Sequence, residues 1–317
     1  MNKIYDWLNQ TPYKEFVIEK SLADASFRKY YRLRKDDKTA LLMDSSLERE
    51  SLGAFLRVHK KLLGAGVGVS KIYIEDLELG YLILEDFGST HYLDVLNEGN
   101  FQTLYTKAIN TILKMQKADV LNLPLYDKAF LHKEMDLMQE WYLEKLLNKT
   151  LTRQEQNLIS TTLDSVSKVV LEQPQGVFVH RDFHSRNIML RDDKELGIID
   201  YQDAMSGAIT YDLVSLLKDC YIAYDRDAIK KLALEFRDKK ALNVDDATMI
   251  KWFDFMGLQR HIKVLGIFSR LYLRDSKEGY LKDIPLTLKY VLDTAARYDE
   301  TKEFGEFLSS LTKSDKK

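Results

Sequence analysis

Apolar and polar positions change period along the chain, and those changes mark out its elements. Tyr5 to Leu8 open an amphipathic helix that Pro12 resets. From Glu15 to Asp44 the pattern is that of strands, at Glu15–Glu19, Phe27–Leu33 and Thr39–Met43. Turn residues at Ser21–Ser26 and Lys35–Lys38 separate them, which predicts an antiparallel meander. Leu52, Phe55, Leu56, Val58, Leu62 and Leu63 then mark one face of a helix over Leu47–Leu63. Gly64-Ala65-Gly66-Val67-Gly68 follows that helix and precedes a strand. This is the reverse of the order that pyrophosphate binding on a helix N-terminus requires, so the run reads as a helix stop. Val69–Ile74 and Tyr81–Leu84 predict a further antiparallel pair leading into Glu85-Asp86-Phe87-Gly88. From Ser89 to Gln173 the pattern is helical, at Tyr92–Leu96, Phe101–Lys117, Lys133–Leu147 and Arg153–Leu171, with Thr152 able to cap the last. Short strands return at Val177–Val179, Ile188–Leu190 and Leu196–Ile199. Helices fill the remainder from Tyr211, interrupted by charges at Arg237–Asp246.

The chain has 317 residues, 45% hydrophobic and 11% aromatic, enough for a packed core in two domain-sized units or one bilobal enzyme. A formal charge of -2 gives no reason to expect a nucleic-acid or membrane partner, although a local basic phosphate site is compatible with it. Cys220 is the single cysteine, so an internal disulfide is excluded and a reducing compartment is the natural home. MNKIYDWLNQTPYKEF has no apolar signal-peptide core, and no run approaches the ~18 apolar residues of a membrane span. The expectation is a soluble cytoplasmic protein, taken as a monomer.

The stretch VFVHRDFHSRNIMLRDDKELGIIDYQD carries the chemistry. Phosphoryl transfer from a nucleotide needs an acceptor for the hydroxyl proton and oxygen ligands that hold magnesium on the phosphates. His180-Arg181-Asp182, then Asn187, then the strand-end Asp200 fit the H-R-D-x-x-x-x-N pattern with its later aspartate. Asp182 is the candidate base, and Asn187 and Asp200 are the candidate metal ligands. Singly, each of these residues is an ordinary turn or cap; together, at this spacing, they indicate magnesium-dependent phosphoryl transfer from a nucleotide, with ATP as the expected donor and GTP left open. Asp203 has two readings, a metal contact or a bond to a substrate hydroxyl. Asp212, at the start of an apolar helix, reads as a brace for the catalytic loop. The connection from Asp200 to Asp212 is short and lacks an A-P-E motif, so the acceptor is expected to be a small molecule.

This segment resembles the catalytic loop of the aminoglycoside phosphotransferase and choline kinase superfamily. Within it, Ile199-Asp200-Tyr201-Gln202-Asp203-Ala204, Gly207 and Thr210–Leu217 most resemble the bacterial anomeric kinases of N-acetylmuramate and N-acetylglucosamine used in cell-wall sugar recycling. The resemblance implies an α+β, bilobal protein-kinase-like fold with a small antiparallel-sheet N-lobe and a larger, mostly helical C-lobe. Residues 1–85 would form the nucleotide-binding lobe and 86–317 the catalytic and substrate-binding lobe. Glu85 and Phe87 would border the nucleotide at the hinge. Two departures stand out. The connection Leu22–Ser26, which would lie over the phosphates, contains no glycine, leaving backbone N–H groups or the Ser26 hydroxyl. Met43 stands where such folds carry a phosphate-pairing lysine. Arg28 and Arg32 share a strand face and are either its substitutes or solvated strand residues.

In Gly257–Phe268, Leu258, Ile262 and Leu265 form an apolar stripe while Arg260 and Lys263 share another face, which predicts a core-packed helix with a solvated basic edge. The segment also resembles the C-lobe of the N-acetylmuramate kinases, as does Tyr280–Leu286. The resemblance implies that Arg260, with His261 or Lys263, faces a sugar pocket and its lactyl carboxylate. Arg186 would do the same or stabilise the transferred phosphate. Two rival readings remain: a phosphotransferase acting on an aminoglycoside or choline-like acceptor, and a non-catalytic nucleotide-binding protein.

Overall fold

The computed structural model describes residues 2–22 and 28–314. Its strands are β1 (Val17–Leu22), β2 (Lys29–Lys35), β3 (Lys38–Asp44), β4 (Ile72–Asp76), β5 (Tyr81–Leu84), β6 (Val177–Val179), β7 (Ile188–Leu190), β8 (Leu196–Ile198) and β9 (Met205–Gly207). The chain divides into two compact units, Met1–His91 with Ile188–Asp203, and Tyr92–Asn187 with Ala204–Lys317. A single cut at residue 85 would leave the β7–β8 hairpin with the helices; the division places it with the sheet.

The first unit is built on an antiparallel five-stranded sheet in the order β1-β2-β3-β5-β4. Alternation along β2 and β3 sends Leu33, Ala40 and Leu42 inward, where the N-terminal helix Asn2–Leu8 covers them with Ile4, Trp7 and Leu8. Trp7 Nε1 donates to Asp76 Oδ2 at 2.9 Å, so the indole N–H is satisfied beside that core. The helix Arg49–Gly64 buries Leu52, Phe55, Val58 and Leu62 at the spacing its sequence predicts. It stops at Gly66, whose φ of 73° lies in the left-handed region. The hairpin β7–β8 joins this unit through backbone bonds. Ile198 N donates to the Gly68 carbonyl at 2.7 Å, and Leu190 N donates to the Thr90 carbonyl at 2.9 Å.

The second unit is mostly helical, with β6 and β9 as its antiparallel pair. The thirty-residue helix Asp246–Asp275 is its axis, buried on nearly all sides from Phe253 to Gly266. The helices Lys128–Leu137, Arg153–Glu172, Tyr211–Leu217 and Ile284–Ala295 pack against it. Thr152 caps Arg153–Glu172 as expected, in a capping box with Glu155. The helix read as Lys133–Leu147 is in fact two: an α-helix, Lys128–Leu137, that widens into a π-helix, Met138–Leu146. Gly266 accounts for the close approach there, since a Cβ on it would stand 2.3 Å from the Leu137 carbonyl carbon. Among the described residues, no helix is long and apolar enough to cross a membrane.

Two glycines next to the helix stop give opposite expectations. A Cβ on Gly68 would sit 2.2 Å from the Leu196 carbonyl oxygen, a backbone atom that can move only with the hairpin. Gly68→Ala is therefore expected to destabilise the protein by about 1–3 kcal/mol. Gly64→Ala, whose Cβ meets nothing within 4 Å, is expected to leave stability level or raise it by up to about 1 kcal/mol. Urea unfolding of both variants checks the pair, and equal midpoints would contradict it.

Candidate active site

In the second unit, β6 runs through the buried Phe178 and Val179 into His180-Arg181-Asp182. The chain turns sharply here, with Arg181 at φ 79°, a region that costs an L side chain about 1–2 kcal/mol. Asp212 offsets that strain. From the first turn of the helix Tyr211–Leu217, its Oδ2 accepts from His180 N at 2.8 Å and its Oδ1 from Arg181 N at 3.0 Å. Ser215 Oγ donates to the Arg181 carbonyl at 3.2 Å. Just past the end of the same helix, Asp219 Oδ2 accepts from Ser185 N at 2.9 Å and from its hydroxyl at 2.5 Å. Asn187 Nδ2 donates to the Asp182 carbonyl at 3.0 Å, which closes the loop and fixes the way its amide faces. The sequence therefore located the loop and one brace, Asp212; Asp219 gave no local signal.

Asp182 is half-buried. Burial alone would raise its pKa, but Lys263, His184, Arg260 and Arg181 together lower it to about 2. Behind it lies a buried cluster that the sequence reading missed. Glu134 Oε1 accepts from Arg181 Nη2 at 2.5 Å and faces Lys263 Nζ at 3.0 Å, while Tyr126 OH donates to Oε2. Lys263 also donates to Tyr211 OH at 3.0 Å, and Gln259 Nε2 to Tyr126 OH at 3.1 Å. Burial opposes ionisation of Glu134, yet Lys263 and Arg181 hold its pKa below the usual carboxylate value. Its sequence does carry a trace: Leu131, Glu134, Met135 and Met138 share one helical face and are all buried.

The predicted solvated basic edge of the long helix is absent. Arg260 is only 3% exposed and Lys263 5%, because neighbouring helices cover that face as well as the apolar one. Arg260 Nη1 lies 3.9 Å from Cys220 Sγ. His261 turns away from this cluster, with Nε2 at 2.9 Å from the Lys218 carbonyl and its ring stacked on Tyr290 at 4.7 Å. Burial lowers its pKa to about 3, so the ring is neutral. Arg186 differs from all three: its side chain is 38% exposed and stands 4.0 Å from Asp283, with the guanidinium 3.5 Å over the Tyr221 ring.

In the first unit, Asp200 follows β8 at φ 64°, is exposed, and accepts from Gln202 Nε2 at 2.7 Å. The next residue anchors it: Tyr201 is buried and stacks on Phe55 at 5.1 Å. Asp203 is exposed. Met43 is fully buried within β3 and does the work of a hydrophobe. Arg28, at 5% exposure, donates to Ser51 Oγ at 2.9 Å beside the Phe55 ring. Arg32 pairs with Asp86 at 2.7 Å and donates to the Gly88 carbonyl at 2.8 Å. The two arginines thus diverge, one toward the helix Arg49–Gly64 and one toward the 85–88 connection. Glu85 pairs with Arg191 at 3.4 Å. Phe87 is buried against Gly197, where a Cβ would stand 2.3 Å from its ring. Ser26 lies outside the described residues.

Known proteins resemble the chain over most of its length. Residues 18–239 match the family described as "Phosphotransferase enzyme family". A protein of Pseudomonas aeruginosa named N-acetylmuramate/N-acetylglucosamine kinase is 39% identical over 296 residues, 91% of this chain and 87% of its own length. One of the same name from Neisseria meningitidis is 36% identical over 94% of this chain and 92% of its own. Among solved structures, an ADP-bound aminoglycoside phosphotransferase, APH(2'')-Ib, superposes with a TM-score of 0.64 at 17% identity, covering 92% of this chain and 98% of that one. LicA in complex with AMP gives 0.62 at 13% identity, covering 92% and 98%. The family match and these relatives show that the chain belongs to the phosphotransferase enzyme family.

Proposed function

We propose that this protein transfers the γ-phosphoryl group of ATP to the anomeric hydroxyl of N-acetylmuramate or N-acetylglucosamine, as a cytoplasmic monomer that returns cell-wall sugars to metabolism. The observation that carries the reading is the braced, ionised Asp182 in a chain that matches relatives of that name over nine-tenths of its length. In this reading residues 1–85 form the nucleotide lobe and 86–317 the catalytic lobe. The 85–88 connection borders the adenine through its backbone near Glu85 and Phe87. Arg28 and Arg32, together with the segment containing Ser26, supply the phosphate contacts.

The acceptor oxygen attacks the γ-phosphorus, the bond from that phosphorus to the β-phosphate oxygen breaks, and ADP leaves with the bonding pair. Asp182 orients the hydroxyl and receives its proton. A carboxylate with a pKa of about 2 is a weak base, so the proton moves late, once the loose transition state has made the hydroxyl acidic. Positioning therefore does most of the catalytic work. Asn187 and Asp200 offer an amide oxygen and a carboxylate, hard donors that suit Mg2+ with some of its waters retained. Among the described residues, no three His, Cys, Asp or Glu side chains form a closed metal cage. When bound, the ion would neutralise phosphate charge, and Asp203 would add a metal or sugar-hydroxyl contact. On the sugar side, Arg186 is the exposed cation suited to a lactyl carboxylate. Arg260 and Lys263 are buried and act through their field on Asp182, while His261 turns away to the Lys218 carbonyl.

Magnesium-dependent ATP consumption is expected with the two amino sugars and not with kanamycin or choline. The phosphorylated product should vanish when borohydride has first reduced the anomeric centre, and turnover of kanamycin or choline alone would overturn the sugar assignment. Asp182→Ala is expected to lower kcat by about 10²- to 10⁴-fold with ATP affinity nearly unchanged by titration calorimetry; robust turnover by this variant would refute the mechanism. Asp212→Asn replaces one of two buried acceptors with a donor facing an N–H, a loss of about 1–3 kcal/mol. It is expected to lower both Tm and kcat, and an active variant of unchanged Tm would contradict the bracing role.

A further inference from the structure

Glu134, Tyr126 and Gln259 have no part in the reaction as described above, and stability is a poor reason for their buried cluster with Arg181 and Lys263. Glu134 is 6% exposed and Lys263 5%. Desolvating a carboxylate and an ammonium commonly offsets what their attraction returns, and well-packed apolar side chains often do as well. The cluster's position is more informative. Arg181 is the residue immediately before Asp182, and Lys263 stands one turn along the long helix from Arg260. Both cations meet the same oxygen of Glu134, at 2.5 Å and 3.0 Å. The other oxygen is taken by Tyr126 OH, which Gln259 also contacts. Lys263 and Arg181 are, in addition, among the cations that draw Asp182 into its ionised form.

We infer that Glu134 is a positioning residue for phosphoryl transfer: by engaging Arg181 and Lys263 it keeps these cations near Asp182 without letting them close on it as a direct ion pair. A carboxylate locked to an ammonium cannot also accept the acceptor hydroxyl in the geometry that in-line transfer needs. Glu134 thus directs the donors of Arg181 and Lys263 to itself. Tyr126 and Gln259 hold Glu134 itself in place from the side away from the cations. The inference rests on the assignment of Asp182 as the group that receives the hydroxyl, and it is independent of which sugar supplies that hydroxyl.

The test uses the full chain with Glu134→Gln, an isosteric and neutral change, and the double variant Glu134→Gln/Lys263→Met. Initial rates with magnesium and ATP are read on N-acetylmuramate, or on kanamycin or choline if the wild type prefers one of those. The wild-type rate tests the functional reading, and the ratios between variants test the inference. Glu134→Gln is expected to lower kcat by about 10- to 100-fold, a part of what a positioned acid–base group contributes, with KM for ATP within about twofold. Removing the released ammonium in the double variant should restore kcat at least about fivefold over the single one. A single variant with wild-type kcat overturns the inference, as does a folded double variant no faster than the single. If only the double folds, by circular dichroism, it is expected within about tenfold of the wild type, and an inactive one overturns the inference. Failure of both to fold would make Glu134 a stability element and overturn it too.

Discussion

The loop from His180 to Asn187 exists in its observed form because one buried carboxylate accepts two consecutive backbone N–H groups. Asp212 is 1% exposed, and burial raises its pKa to about 6 against the opposing pull of His180 and the two backbone bonds. Without that acceptor, the N–H groups of His180 and Arg181 would be buried donors at a turn whose left-handed Arg181 is already unfavourable. The helix carrying Asp212 is buried along its whole length, Tyr211–Leu217, so the brace cannot drift. Asp219, beyond its end, secures Ser185 in the same way. One rigid element thus sets both halves of the loop between β6 and β7, and the orientation of Asp182 follows from packing far more than from the loop's own sequence.

That division explains what could be read from the sequence. Local chemistry was legible: the loop from His180 to Asn187, the helix stop at Gly66, the Thr152 cap, and Asp212 as a polar residue opening an apolar helix. Pairings made across long separations were not. Glu134 meets Arg181 and Lys263 through tertiary packing, and no periodicity links them. The long helix misled for a related reason. Arg260 and Lys263 occupy the polar side of an amphipathic pattern, which in a helix covered on one side faces water. This helix is covered all round, and the buried polar side meets a carboxylate from another helix. The two irregular positions, an acid on an apolar face and bases on a covered one, are complementary, and only the fold shows that they meet. The widening at Met138–Leu146 was equally hidden, since it accompanies the close approach of Gly266 to Leu137.

The sheet unit shows the opposite economy. Met43 fills core volume in β3, and Arg32 and Arg28 are engaged by Asp86 and Ser51. Asp200 is exposed but not loosely held, because Tyr201 inserts between Phe55 and His59 directly after it. The sheet unit therefore holds two arginines and one anchored carboxylate in place, while the clusters of several buried cations lie in the helical unit.

Concentrating cations in a core is costly unless each has an anion within reach, and the long helix meets that requirement twice. Near its start Asp254 takes Lys218 at 2.7 Å and Arg226 at 3.0 Å, with the Tyr298 hydroxyl donating at 2.9 Å. Further along, Lys263 meets Glu134. In the first cluster one carboxylate serves two cations, and burial still lowers the Lys218 pKa despite its partner. In the second, Arg181 and Lys263 share Glu134, and Arg260 stands nearby within the influence of Asp182 and Asp219. The field of these cations falls on Asp182, whose pKa drops to about 2 although burial pushes it upward. A loose phosphoryl-transfer transition state asks for a held acceptor and a fixed field more than for a strong base. Cations held in the core by a buried carboxylate beside the loop provide that field without motion.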